Sequence, residues 1–242
     1  FTDPYDLTVL RPEDIIFTNT LSPFTNLSYY KTFDSRNGEE RFKSYFAINA
    51  NKRFGVGFYI DYLYGRGLYA SQSTAFFNGG LFASYRGDKY NMHFIFNNDN
   101  LKMAENGGIA DDRYITNPLD MAEGKKEYKS YDIPTNLNKV WNHNTSYHVF
   151  MTQRYNLGFH KEKTDSVTKD SVRIIQEFVP VTSFIHTLRI RNAKHTVYSY
   201  DTPDHYYADL FYGDPNNMSD RTRGYSIQNT LGIALREGFN KW

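Results

Sequence analysis

The stretch KSYFAINANKRFGVGFYIDYLYGRG, residues Lys43–Gly67, carries the strongest structural signal in the chain. On each side of Asn51–Arg53, apolar residues occupy nearly every second position, and small, polar or charged residues stand between them. A period of two is that of a β-strand, because successive side chains of a strand point to opposite faces. The aromatic and β-branched residues at these positions also favour strands over helices. Two such segments joined by a three-residue polar turn predict a β-hairpin.

The same alternation recurs along the chain and predicts about eight strands. It is clearest in Thr74–Arg86, Lys89–Asn98, Thr145–Phe159 and Tyr225–Leu235, and weaker in Pro23–Phe33 and Pro180–Asn192. Phe76 and Phe82 blur the pattern, because they share a strand face with polar residues. The segments run to about 11–15 residues, whereas globular strands have a mode of about 5–6 and a tilted membrane-crossing strand needs about 9–11. Their length therefore favours strands that cross a membrane.

The connections between the segments differ in length from one end of the sheet to the other. Asn51–Arg53 and Gly87–Lys89 are tight turns, whereas the polar stretches Asp99–Asn142 and Ser199–Thr222 are long. Long structureless loops are uncommon in compact soluble domains, but short turns at one end and long extracellular loops at the other are typical of outer-membrane barrels. The Lys161–Ser171 connection lies on the tight-turn side and is longer than this scheme predicts.

These patterns predict an all-β fold, an antiparallel up-and-down transmembrane β-barrel that forms one domain over residues 1–242. Such a barrel must close, because an unpaired backbone group costs several kcal/mol in hydrocarbon. The final segment EGFNKW follows a strong strand at a tight-turn end. We therefore expect the chain to be a fragment of a larger barrel.

The composition narrows the function classes. The 242 residues carry 28 basic and 27 acidic side chains, so no strongly basic surface for nucleic acid is expected. The absence of Cys excludes disulfides and Cys-ligated zinc. No apolar run reaches the roughly 18 residues of a membrane helix, and mean hydropathy is -0.66, but alternating membrane strands escape such a scan. The opening FTDPYDLTVL has no signal-peptide pattern, so we expect a mature or trimmed chain.

Each predicted strand has one apolar and one polar face. Large aromatic residues near the strand ends of the apolar face match the aromatic girdles of membrane barrels, and the mixed polar face suits a wet interior. The residues predicted to face lipid are Phe46, Ile48, Val56, Phe58, Ile60, Phe94, Val149 and Ile233. The residues predicted to line a lumen are Lys43, Asp61, Arg86, His93, His148 and Arg154. His186 is the awkward residue, because placing Arg189 and Arg191 in the lumen turns it toward lipid.

Four stretches resemble a known family: SPFTNLSYYK (Ser22–Lys31), INANKRFGVGFYIDYLYGRGLYASQS (Ile48–Ser73), ENGGIADDRYITNP (Glu105–Pro118) and PVTSFIHTL (Pro180–Leu188). Together they are similar to the putative-porin family of outer-membrane proteins from Bacteroidetes-type Gram-negative bacteria, over most of the chain from about Arg11. The resemblance implies a β-barrel in the bacterial outer membrane. It also implies longer relatives, in agreement with a barrel fragment, and it supplies no catalytic residues.

Other chemistry is weakly supported by the residues. Of the seven His residues, His93 and His148 share the polar face with Asn97 and Arg154, and a hydrated lumen explains them, so neither a metal nor a catalytic His is predicted. The Asp/Asn groups at 97–100, 110–112 and 213–220 offer oxygen ligands on loops, but none has calcium-loop spacing, and Asp and Asn also favour turns. No GxSxG-type segment occurs, and no helix follows the Gly-rich GVG and GRG segments, so no enzyme activity and no cofactor are predicted.

Three functions remain open at this point. The first is a porin-like barrel that passes small solutes through a polar lumen. The second is a non-conducting barrel that serves as a structural or interaction subunit of a larger outer-membrane assembly. The third is a soluble secreted β-sandwich that binds carbohydrate through its aromatic residues. In the first two, the partners are outer-membrane lipid or lipopolysaccharide, with other outer-membrane proteins or lipoproteins as further candidates.

Overall fold

A computed structural model of the chain describes residues 5, 8–34, 36–122, 129–168, 171–203, 206–207, 214 and 217–235. Eight antiparallel strands form a single sheet, in which each strand pairs with its neighbours in the chain. The strands are β1 (Phe24–Lys31), β2 (Glu39–Asn51), β3 (Phe54–Arg66), β4 (Ser73–Arg86), β5 (Tyr90–Ala104), β6 (Val140–Thr168), β7 (Ser171–Ser199) and β8 (Met218–Leu235).

The predicted fold class is confirmed. The described residues make an eight-stranded meander whose edges, β1 and β8, do not pair with each other, as expected for part of a larger barrel. A β-sandwich would need a second sheet packed on the first, and the described residues form one sheet only. The final segment, residues 237–242, on which the fragment prediction partly rested, lies outside the described residues.

Cross-strand register explains the two faces of the sheet, because directly paired residues lie on the same face. We call the face that carries Lys43 and Asp61 the inner face, and the face that carries Phe46 and Phe58 the outer face. One inner row runs through all eight strands as Ser28, Lys43, Asp61, Asn78, Asp99, Ser146, Ala193 and Gly224. A nearby outer row runs as Thr25, Phe46, Phe58, Leu81, Phe96, Val149, Ile190 and Ile227. The alternation in the sequence is therefore the consequence of one polar and one apolar sheet face.

The two tight turns lie at the same end of the sheet, which we call the turn end. Arg53 of the first turn and Asp88 of the second form an ion pair at 3.0 Å. The opposite end, the loop end, carries the two long connections, residues 105–139 and 200–217. Both are shorter than predicted, because β5 continues through Ala104, β6 already begins at Val140 and β8 begins at Met218.

The predicted connection at Lys161–Ser171 is wrong. β6 and β7 are 29 residues each and continue to Thr168 and Ser171. β5 pairs with β6 only as far as Tyr155, and β8 pairs with β7 only as far as Thr182. Beyond these positions the described residues of β6 and β7 pair only with each other, and they form a two-stranded ribbon that extends past the turn end by about 35 Å, at 3.4 Å per residue.

The ribbon starts at an irregularity in the pairing. The register shifts between Leu157 and Gly158, where Gly158 faces Pro180 of β7. Proline cannot donate a ladder hydrogen bond and is tolerated in sheets at bulges and edges. Pro180 therefore lies where the eight-stranded sheet gives way to the ribbon.

A segment that precedes the first strand lies against the inner face. We call Thr8–Thr20 the N-terminal segment; none of its residues joins a strand, and its one regular turn is a 3₁₀ helix at Pro12–Asp14. Ile15 of this segment lies in a buried cluster with four inner-face residues, Ala47, Tyr59, Phe82 and Ile95. A buried apolar cluster of the described residues thus lies between the N-terminal segment and the sheet.

The helices of the protein are short. They are α1 (Arg113–Thr116) and α2 (Pro118–Met121), both in the loop between β5 and β6, and a 3₁₀ turn at Ser130–Asp132 in the same loop. In the part of the chain that the structure describes, no helix has the length and apolar character needed to cross a membrane.

Candidate functional site

The residues predicted for the lumen and for the lipid surface separate completely between the two faces. The register places Lys43, Asp61, Arg86, His93, His148 and Arg154 on the inner face. It places Phe46, Ile48, Val56, Phe58, Ile60, Phe94, Val149 and Ile233 on the outer face. The division into two faces follows from the structure, and the assignment of the inner face to a lumen stays a prediction.

Asp61 is the centre of a charged group on the inner face. Arg41 donates two hydrogen bonds to it, from Nε to Oδ1 at 2.9 Å and from Nη2 to Oδ2 at 2.8 Å. The Lys43 Nζ lies 3.5 Å from the same Oδ2. Such a bidentate Arg–carboxylate pair fixes both side chains in place. With two cations around one carboxylate, the group carries a net charge of +1.

Sequence reasoning missed Arg41 as a candidate residue. Arg41 and Lys43 are two residues apart on one strand, so they share a face, and Lys43 pairs directly with Asp61. That spacing was the available signal. The pairing register, which the sequence did not supply, is what brings Arg41 diagonally to Asp61.

A row of buried polar side chains continues from this charged group across the inner face. Ser146 donates from Oγ to Asp99 Oδ2 at 2.8 Å, and the His148 Nε2 lies 4.0 Å from the same oxygen. Asn97 and Tyr59 are hydrogen-bonded to each other. Asn97 and Asp99 are only 0% and 1% exposed, so their polar groups are held away from bulk solvent.

The placement of Asn97–Asn100 on a loop is wrong. The four residues lie within β5, with Asn97 and Asp99 on the inner face and Asn98 and Asn100 on the outer face. The Oδ1 of Asn100 accepts a 2.8 Å hydrogen bond from Nε2 of His143 on the neighbouring strand. Cross-strand partners thus replace the turn hydrogen bonds that these residue types favour.

Of the other two Asp/Asn groups, one forms an ion pair and the other is only partly described. In the group at 110–112, Asp111 forms a 2.6 Å ion pair with Arg113, whose guanidinium and backbone N–H hold the pKa of Asp111 below its ordinary value. Most of the group at 213–220 precedes β8 and lies partly outside the described residues. Within the described ranges, no three His, Cys, Asp or Glu side chains form a group suited to a metal ion.

Two glycines make room for aromatic rings on the inner face. A Cβ on Gly57 would lie 2.3 Å from the Phe82 ring, and a Cβ on Gly80 would lie 2.6 Å from the Tyr59 ring. Contacts below 3.0 Å force a neighbour to move. Glycine at these positions therefore leaves room for the Phe82 and Tyr59 rings on the inner face.

The N-terminal segment is held to the inner face by side chains of the sheet. Asn78 Nδ2 donates to the Thr8 carbonyl at 2.7 Å, and Asn97 Nδ2 donates to the Leu10 carbonyl at 2.8 Å. Further contacts are Tyr45 Oη to the Ile16 carbonyl at 2.7 Å, Asn49 to Asn19 at 2.7 Å, and an ion pair between Arg189 and Glu13. These side chains belong to β2, β4, β5 and β7, so the segment reaches across the middle of the sheet.

A cavity remains between the N-terminal segment and the first three strands. It has a volume of about 380 Å³, and both apolar and charged groups line it. Its walls include Thr8 and Leu10 of the segment together with the Arg41–Lys43–Asp61 group. The inner face therefore offers a small, polar, partly open space beside fixed charges.

A chain of polar side chains on the outer face explains His186. As predicted from the parity of its neighbours, His186 lies on the outer face, directly paired across the strands with Gln153. Tyr90 donates to Gln153 Oε1 at 2.8 Å, Gln153 Nε2 lies 2.9 Å from His186 Nδ1, and His186 Nε2 lies 3.2 Å from Asn229 Oδ1. Because an amide nitrogen can only donate, Nδ1 of His186 accepts the hydrogen bond from Gln153. The other ring nitrogen, Nε2, then donates to Asn229 Oδ1.

Comparisons with known proteins identify a family for the whole chain. A family model described as a putative porin matches residues 1–242. No curated protein matches the chain significantly, and no solved structure does.

Proposed function

The chain belongs to the putative-porin family, and on that premise we propose that it forms part of a barrel in the bacterial outer membrane that passes small solutes through a polar lumen. The observation that carries the proposal is the contrast between the two rows that cross the sheet. The inner row is polar or small in all eight strands, and the outer row is apolar in seven of them. Alternation of a lumen face and a lipid face is the defining pattern of membrane β-barrels.

Exposure of the outer face supports a membrane environment. Leu81, Ile227 and Leu231 are 57%, 55% and 81% exposed, although they stand in the middle of long strands. Soluble monomers rarely expose a continuous apolar patch of more than a few hundred Å². A hydrocarbon environment removes that difficulty, because it covers the whole outer face.

The spacing of the outer tyrosines agrees with the thickness of a membrane. Tyr85 and Tyr90 lie at the turn end with ring centroids 6.0 Å apart, and Tyr62 and Tyr64 lie near the loop end of β3. Tyr85 pairs with Phe54, which is eight to ten residues from the second pair. At 3.4 Å per residue and a tilt near 40°, the two girdles are about 20–26 Å apart along the barrel axis, close to the expected band of about 25 Å.

The inner face supplies groups for the passage of hydrophilic solutes. Charged residues at a constriction tune ion selectivity, and the Arg41–Lys43–Asp61 group lies beside the 380 Å³ cavity. The proposed role is a channel rather than an enzyme, and it calls for no cofactor. Lipid and lipopolysaccharide are the proposed partners of the outer face, in a Gram-negative cell of Bacteroidetes type.

Conductance of the full-length protein in planar lipid bilayers tests the proposal. We expect discrete single-channel steps, and we expect Asp61→Asn to change the ratio of anion to cation permeability without abolishing insertion. Ser28→Thr, a conservative change at the exposed end of the same inner row, is the matched control. Protein that inserts fully but carries no current would overturn the channel function.

The ribbon favours a second candidate function, an interaction subunit of a larger outer-membrane assembly. It extends past the turn end, and outside the β6–β7 pairing both of its long edges are free of strand partners in the described residues. Free strand edges readily add a strand from another protein. The Lys163–Glu177 ion pair, at 3.2 Å, joins its two strands and leaves both side chains more than half exposed.

Shortening the ribbon separates the two candidates. Residues 160–178 would be replaced by a two-residue Asn-Gly turn, which removes the ribbon and leaves the eight-stranded part of the sheet. An interaction subunit would lose co-purifying outer-membrane proteins and keep its insertion. A simple porin would keep both its current and its set of associated proteins.

A further inference from the structure

We propose that the N-terminal segment, Thr8–Thr20, is a displaceable plug that closes the proposed lumen while it is seated on the inner face. The inference rests on the porin-like function proposed above and adds a gating element to it. It starts from the observation that a piece of chain outside the sheet lies where solute would pass. Nothing in the alternating pattern of the strands requires a segment at that place.

The extent of the segment is sufficient to obstruct the inner face. Its sheet partners run from Tyr45 on β2, through Asn78 and Asn97, to Arg189 on β7. Neighbouring strands are about 4.8 Å apart, so contacts from β2 to β7 cover about 24 Å of the sheet. A chain of that extent crosses the inner face from β2 to β7 and obstructs passage along it at the level of these partners.

The segment is held by side chains and does not join the sheet as a strand. Its backbone hydrogen bonds, such as Val9 N–H to the Tyr5 carbonyl and Asp14 N–H to the Arg11 carbonyl, stay within the N-terminal region. Between the residues that the structure describes, side chains of the sheet hold the segment, and Asn78, Asn97 and Tyr45 donate to its carbonyl oxygens. The strand ladders therefore stay intact when the segment leaves, and departure does not require the sheet to unfold.

The polar groups beneath the segment favour a wet state after its departure. Asn78 and Asn97 donate their amide N–H groups to carbonyls, which fixes their amide orientation and turns each Oδ1 away from the segment. Neither Oδ1 accepts a hydrogen bond from a described protein group, and both side chains are at least 97% buried. Buried acceptors without a partner cost free energy, and water in an open lumen satisfies them. This cost raises the free energy of the state in which the segment covers the inner face, and it therefore favours release of the segment.

The apolar contacts of the segment supply the opposing preference. Ile15 is 8% exposed among Ala47, Tyr59, Phe82 and Ile95. Phe17 packs edge-on against Phe82, with ring centroids 5.4 Å apart. The seated state is therefore the resting state, and removal of these two contacts should release the segment.

Cysteine labelling tests the position and movement of the segment without any current. The chain has no Cys, so single-Cys variants of the full-length protein report one site each. Ala47→Cys places a thiol beneath Ile15, and Thr222→Cys places one at an exposed inner-face position of β8, outside the described contacts of the segment. A membrane-impermeant maleimide is the probe, and insertion is checked by heat-dependent gel migration.

We expect Ala47→Cys to react at least about tenfold more slowly than Thr222→Cys, which corresponds to about 1.4 kcal/mol of protection. Adding Ile15→Ser and Phe17→Ser should raise the Ala47→Cys rate by a similar factor and leave the Thr222→Cys rate unchanged. Equal rates at the two sites in the parent protein would show that the segment does not cover the inner face. Protection that survives the double substitution would show that it is fixed rather than displaceable.

Cross-linking then tests whether the segment controls passage. Glu13→Cys with Arg189→Cys, joined by a short bifunctional thiosulfonate, ties the segment to β7, and a thiol reductant releases it. Lys31→Cys with Glu40→Cys replaces an exposed ion pair that joins β1 to β2 and serves as the matched control.

We expect the Glu13–Arg189 cross-link to lower the current by about tenfold and reductant to restore it, with no change in the control. An unchanged current after complete cross-linking would overturn the gating role. Absence of current in every form, including the released variant, would instead overturn the porin-like function, and the labelling rates would still decide whether the segment moves.

Discussion

Phe58→Arg should impair assembly of the protein, because it places a cation in the apolar row of the outer face. The Phe58 ring is stacked on Phe46, with centroids 5.5 Å apart and an interplanar angle of 27°, and Phe58 pairs on its other side with Leu81. Loss of the aromatic pair costs about 0.5–1.5 kcal/mol. A cation near the midplane of the bilayer costs about 2–4 kcal/mol. The charge is therefore the larger effect, equivalent to about 30-fold to several hundred-fold in the folding equilibrium.

Reversible urea titration of the full-length protein in phospholipid vesicles measures this effect. Phe58→Leu is the matched control, because it removes the ring pair and keeps an apolar side chain, so its cost should be about 1 kcal/mol. Ser28→Arg adds the same cation to the inner row, opposite Lys43, and we expect a cost of no more than about 1 kcal/mol, well below that of Phe58→Arg. Equal costs for Phe58→Arg and Phe58→Leu would refute the assignment of the outer face to lipid.

Three further predictions follow from the inner face and the turn end. Asp61→Asn leaves Arg41 and Lys43 without their shared carboxylate, so the reversal potential in a salt gradient should move toward anion selectivity. Lys43→Gln should move the reversal potential the opposite way. If neither variant moves it, the charged group does not lie on the path of the ions. Gly80→Ala should lower the free energy of unfolding by about 1–3 kcal/mol, because its Cβ meets both the Tyr59 ring and the Phe96 carbonyl oxygen at 2.6 Å. Gly224→Ala, with nothing within 4 Å of its Cβ, is the control and should be neutral or slightly stabilising, so equal losses for the two would be inconsistent with the packing described. Asp88→Asn removes an ion pair whose side chains are 56% and 59% exposed, and urea titration should detect a loss of no more than about 1 kcal/mol.

The two faces of the sheet could be predicted from the sequence because they depend only on local periodicity. Lys43 and Phe46 are separated by parity, whatever the strand pairs with, and the same parity places His186 on the outer face. A meander adds no further unknown, since each strand pairs with its neighbour in the chain. Periodicity and connectivity together were therefore sufficient for the fold class and for the division of these residues between two sheet faces, whereas the contact of either face with lipid or with a lumen stays a prediction.

The ends of the strands could not be predicted, because partners across the sheet decide them. Asp99 and Asn100 have the composition of a turn, but Ser146 and His143 supply cross-strand hydrogen bonds that keep them in β5. The ribbon is a second case in which the local composition misleads. Its polar and charged residues resemble a loop, yet β6 and β7 continue to pair with each other as far as Ser171. In both places a tertiary contact overrides the local preference of the residues.

The position of the N-terminal segment could not be predicted from the sequence either, although the irregular alternation of β4 was a sign that something covers its polar face. Phe76 and Phe82 were exceptions to the polar face of that strand, and they are 6% and 4% exposed, whereas Leu81 on the outer face is 57% exposed. The apolar residues of the two faces therefore have different surroundings. Tyr5 packs edge-on against Phe76 at 5.7 Å, and Phe17 packs against Phe82 at 5.4 Å.

Those inner-face aromatic residues set the balance of the proposed plug. Full burial of a Phe side chain stabilises by about 1.5–3 kcal/mol, so uncovering Phe76 and Phe82 opposes release of the segment. The unsatisfied amide oxygens of Asn78 and Asn97 act in the other direction, at about 1–3 kcal/mol each. Two opposing contributions of similar size make an equilibrium that small changes can move. A sheet face that was polar throughout would not retain the segment, and an apolar one would not release it.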